Sequence, residues 1–198
     1  MTPIHYWLGV IFTKYFRLYL SNLSNMELHE LIKDCARRQK RGLHFILTSI
    51  IIWTMICAVH LTEMTIMQKN LITFCCSAIL FPMAWRLSKI LKIDFEGKGN
   101  PLTKAGILFS ANQMLYILIV MWVYAAMPEK MVMVYAMVFG AHLMPFSWLY
   151  GSRAYLIFSI IITIVSLITG LMYLPHVLAA LMIFIEAVFS FCLFKESI

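Results

Sequence analysis

The chain has 198 residues, of which 62% are hydrophobic and only 13% charged, and its formal net charge is +7. A soluble domain carries about a quarter charged residues, so this composition excludes a soluble globular fold and leaves room for one membrane domain. The positive charge does not indicate nucleic acid, because the basic residues flank apolar stretches, where lipid head groups lie.

In chain order, residues 1–25 read as an N-terminal extension. Pro3–Leu20 is apolar and aromatic but short, and it contains Lys14 and Arg17. That suits an interfacial helix better than a seventh span, and no small-residue cleavage site precedes Ser21. Met26 is an alternative start. Ser24-Asn25-Met26-Glu27 has the form of a capping box that opens a helix over residues 26–42. Leu28, Leu31, Ile32 and Cys35 share one face of it, and Arg37, Arg38, Lys40 and Arg41 crowd its end. The pattern predicts an amphipathic juxtamembrane helix on the membrane surface, its basic cluster against anionic head groups.

Six apolar stretches follow, at 43–61, 69–91, 105–127, 131–150, 154–173 and 177–194. Each is near the ~20 residues that match a hydrocarbon thickness of ~30 Å. Every Lys and Arg except Lys69 and Lys130 precedes the first stretch or lies at the second or fourth connection or in the tail. Basic loops stay in the cytoplasm, so the expected fold is an all-α, six-span bundle with both termini inside. Three connections are tight turns, which makes the last four spans consecutive antiparallel neighbours. Lys92–Lys104 is longer and polar, and is the expected place for relative motion. Pro82 and Pro145 should kink the second and fourth spans. Ala136/Gly140, Ser159/Thr163 and Ser166/Gly170 place small residues four apart, which lets helix backbones approach closely. The two halves share no motif, so an inverted repeat is not supported.

Within the spans, Glu186 and His142 sit roughly 14 Å and 16 Å deep at ~1.5 Å rise per residue. A carboxylate at membrane depth is costly enough to be a functional-site candidate. If their faces meet, the two form a Glu–His pair able to relay a proton or hold a cation. Asn112, Gln113 and Ser147 fall nearer the cytoplasmic side and form a candidate polar pocket open to the inside. The bland alternative for all five is helix–helix hydrogen bonding. The five cysteines are an odd number without CxxC spacing, so no metal or redox role is expected. Neither HExxH, GxSxG, a phosphate-binding glycine loop nor paired aspartates occur. The reading is a non-enzymatic membrane protein without a cofactor. Two functions compete: a carrier or sensor using Glu186 and His142, and a structural subunit that binds a second copy or another protein.

The stretch Asn100–Tyr155, with the segments RRQKRG and NLITFCCS upstream, resembles a family of small bacterial integral membrane proteins known as a domain of unknown function. The similarity covers about residues 26–198. It implies a multi-pass protein of the cell membrane and supplies no catalytic residues.

Overall fold

The computed structural model describes residues 28–95, 97 and 99–197; the N-terminal extension and the expected capping box at 24–27 lie outside the described residues. The described chain is helical, in the order α1 (Leu28–Arg38), α2 (Leu43–His60), α3 (Ile66–Ala78), α4 (Leu80–Ile90), α5 (Leu102–Ala126), α6 (Met131–His142), α7 (Met144–Leu149), α8 (Arg153–Met172) and α9 (Pro175–Glu196). Six helical stretches among them are long and apolar enough to cross a membrane: Lys40–His60, Ile66–Ile90, Leu102–Ala126, Pro128–Leu149, Arg153–Met172 and Pro175–Glu196. These match the expected spans within three residues at each end.

Two spans are broken where proline predicts. A proline cannot donate to the carbonyl four residues back and its ring crowds that group. For Pro82 that residue is Ala78, where α3 ends; for Pro145 it is Ala141, beside the end of α6. A capping box that sequence reading overlooked opens α3: Gln68 N donates to Thr65 Oγ1, and Thr65 N donates to Gln68 Oε1.

The most extensive helix contact joins the first span to the last, α2 to α9, followed by α6 against α8. The second pair uses the small residues. A Cβ on Gly140 would lie 2.7 Å from Ile162 Cγ2 and 2.9 Å from the backbone N of Thr163, so only glycine permits this approach. Lys130 Nζ closes the far end of α8 by donating to the Gly170 carbonyl at 2.9 Å. By contrast, α5 packs on α6 and α7 but scarcely touches α2 or α4. That asymmetry leaves a gap beside α5.

The expected amphipathic helix is present and packs on the bundle end. Part of its apolar face turns into the protein: Leu31, Cys35 and Ala36 are buried in the core, with α5 and α7 as neighbours, while Leu28 stays exposed. A left-handed turn through Lys40, Arg41 and Gly42 (φ 43°, 49° and 68°) folds the helix back over the bundle end. The turn splits the basic cluster. Lys40 Nζ donates to the Leu91 carbonyl at 2.9 Å, and Arg41 pairs with Glu196. Arg38 Nε donates to Asp34 at 2.8 Å, and only Arg37 keeps its side chain mostly exposed, at 82%.

Candidate functional site

The gap beside α5 is a cleft of about 410 Å³. One wall is α5 itself, with Thr103, Ser110, Ala111, Gln113 and Met114. Across from it lie Phe45 and Ile46 of α2, Phe81 of α4 and Phe139 and His142 of α6, with Phe146 and Tyr150 toward the basic end. Gln113 and His142, drawn from two separate candidate sites, therefore share one cavity. Asn112 and Ser147 do not line it: the Asn112 amide donates to the Tyr116 hydroxyl at 2.9 Å on the exposed face of α5. This follows from helix periodicity, because residues one apart point about 100° away from each other.

Gln39, Gly42, Phe95 and Thr103 carry the cleft to the basic end of the bundle. At its basic end the Tyr150 hydroxyl donates to Gln39 Oε1 at 2.8 Å, and the Tyr155 hydroxyl donates to the Arg41 carbonyl at 2.8 Å. Phe45, Phe81 and Phe95 pack there edge to face or tilted, with centroids 5.8–6.1 Å apart. Such arrangements suit the aromatic quadrupole.

Glu186 occupies a different place, between α2 and α9, and is fully buried. Its Oε2 is hydrogen-bonded to the Ser49 hydroxyl, Trp53 lies beside it, and Oε1 has no hydrogen-bond partner among the described residues. Ser49 Oγ is also 2.7 Å from the Ile46 carbonyl. A serine has one hydroxyl hydrogen and a carbonyl can only accept. When Ser49 gives its hydrogen to Ile46, the hydrogen between Ser49 and Glu186 comes from the carboxyl group. His142 is engaged separately: its Nδ1 donates to the Phe139 carbonyl at 2.6 Å. The ion pairs among the described residues are Arg37–Asp34, Arg38–Asp34 and Arg41–Glu196. The Glu186–His142 pair that equal depth allows is thus not among the contacts of the described residues. Equal depth fixes a level in the membrane but not the direction around each helix axis. Ser49 and Glu186 lie at nearly the same distance from the basic ends of their spans, so depth reasoning extended to hydroxyls includes the actual partner.

The basic end carries a second polar cluster. Glu196 accepts from Ser152 Oγ at 2.6 Å and from the backbone N of Ala154 at 3.1 Å, at the N-terminus of α8, where a carboxylate is favoured. Asp34 accepts from Arg38 and from the Asn100 amide at 3.0 Å. The Arg38 hydrogen bond, ahead of the Asn100 one, holds the Asp34 carboxyl below the usual carboxylate range. Burial pushes the neighbouring Cys35 thiol up to about 11. No group of three or more His, Cys, Asp or Glu is placed to hold a metal among the described residues.

The profile of DUF7010, a family of unknown function, matches residues 28–196. No curated protein and no solved structure matches the chain.

Proposed function

The chain belongs to the DUF7010 family of unknown function, and from the geometry we propose that it is a non-enzymatic, multi-pass protein of the cell membrane that binds a small ligand in the cleft beside α5. The observation that carries this reading is the convergence of Gln113 and His142, from different spans, on one largely apolar cavity of about 410 Å³. Ligand sites have this character: an apolar wall and a few polar groups in a volume of ~300–1,000 Å³. Arg41 and Glu196 meet at one end of the bundle, which supports keeping both ends of the spanning region on one side. The concentration of Lys and Arg there supports a cytoplasmic placement of that side. Glu186, hydrogen-bonded across α2 and α9, reads as a structural group that joins the first and last spans.

Binding of Nile red to the detergent-purified protein tests the proposal. Wild type should give a saturable, blue-shifted signal, and Ala111→Phe, which fills the cleft from α5, should weaken it at least tenfold. Equal binding by both proteins would move the site out of the cleft and favour a structural subunit instead.

A further inference from the structure

We propose that the occupant of the cleft is an uncharged membrane amphiphile bearing a hydroxyl group, which enters sideways from the bilayer between α4 and α5. This rests on the binding reading above and adds a ligand class to it. Three observations carry it.

The first concerns hydrogen-bond direction. A backbone carbonyl only accepts, so the Phe139 contact fixes the hydrogen of His142 on Nδ1. The neutral ring then presents Nε2 as a bare acceptor, and Nε2 has no partner among the described residues. A ligand facing it must bring a donor. A hydroxyl satisfies both sides, because its oxygen can in turn accept from the Gln113 amide on the same cleft.

The second concerns charge. Among the described residues that line the cleft, none is Asp, Glu, Lys or Arg. An ionised head group placed there would be desolvated with no counter-charge, which is strongly unfavourable. The described lining therefore favours a neutral occupant.

The third concerns access. The basic end is spanned by the Tyr150–Gln39 hydrogen bond, while α5 stands clear of α2 and α4. Phe81 and Ile107 line the cleft and are 52% and 64% exposed. Apolar residues at the opening admit a lipid-soluble molecule rather than a water-soluble one.

Displacement of bound Nile red from the whole chain tests the ligand class with three probes: 1,2-dioctanoylglycerol, its 3-O-methyl ether and dioctanoyl phosphatidic acid. The alcohol should displace the dye at about tenfold lower concentration than the ether, the scale of one hydrogen bond. Phosphatidic acid should be weaker than the alcohol by a similar factor or more. His142→Phe keeps the ring packing and should erase the alcohol–ether preference while the dye still binds. The two-probe comparison on the unmodified chain decides the matter even where the variant fails to fold. Equal displacement by alcohol and ether, or phosphatidic acid matching the alcohol, overturns this proposal and leaves the binding site standing. Absence of saturable dye binding to wild type overturns the binding reading itself.

Discussion

Glu186 meets Ser49 through one oxygen, while the other, in the core between α2 and α9, has no hydrogen-bond partner among the described residues. A glutamine there keeps the size and the hydrogen bond to Ser49, whereas an alanine opens a cavity. Glu186→Gln should therefore change unfolding stability by less than about 1 kcal/mol. Glu186→Ala should cost roughly 2–4 kcal/mol, in line with large-to-small core changes. Thermal melts in detergent distinguish the two, and a large loss for the glutamine variant would mean that the carboxyl itself is required. The sequence made Glu186 conspicuous because a carboxylate stands out against apolar neighbours. It hid Ser49, because a hydroxyl within a helix is common and can bond back to its own backbone. His142 was visible for the same reason as Glu186. That Gln113 lines the same cleft as His142 is not legible in the sequence, because helix direction about the axis is set by packing across the whole bundle.

At the scale of elements, spans and kinks were readable because hydropathy and proline act locally, within about one turn. The docking of α1 was not. An amphipathic face of Leu31, Ile32 and Cys35 looks the same whether it covers lipid or protein. What fixes its position is a set of distant groups: Asn100, Leu91, Glu196 and Tyr150. Asp34 gives this docking a pH dependence. Its folded pKa lies below the ordinary value of 3.8, so its contribution is full above that value and is lost as pH falls through the lower, folded one. With the other cysteines replaced, Cys35 should react with 4,4′-dithiodipyridine faster as pH drops from 5 toward 3. In Asp34→Asn the reaction should already be fast at pH 5 and rise little further. A flat profile in wild type would mean that Asp34 does not hold α1. The α6–α8 contact offers a second test. Gly140→Ala places a methyl against the Thr163 backbone, and should destabilise by about 1–3 kcal/mol. An unchanged melting temperature would show that the two helices separate without cost.

For the whole molecule, the bundle depends on contacts between spans far apart in sequence. Two units on either side of the 92–101 connection are joined mainly through α2 and α9, with the Ser49–Glu186 and Arg41–Glu196 bonds across the same seam. Chains of residues 1–97 and 98–198 expressed together should therefore copurify, read by an affinity tag on one half. Recovery of the tagged half alone would show that the connection itself holds the units in place.

The α2–α9 seam also sets a schedule for biogenesis. The first of the six described spans finds its main partner only when the last has been inserted. Until the fourth span is in, Trp53 lacks Tyr135 and Phe139, and until the sixth is in, Ser49 lacks the Glu186 carboxyl; both residues are buried in the finished protein. The insertion machinery or a chaperone in the membrane must shelter them meanwhile, and a stop codon after Tyr173 should yield a product that quality-control proteases clear. Synthesis has to run through α9 before the first span is safe.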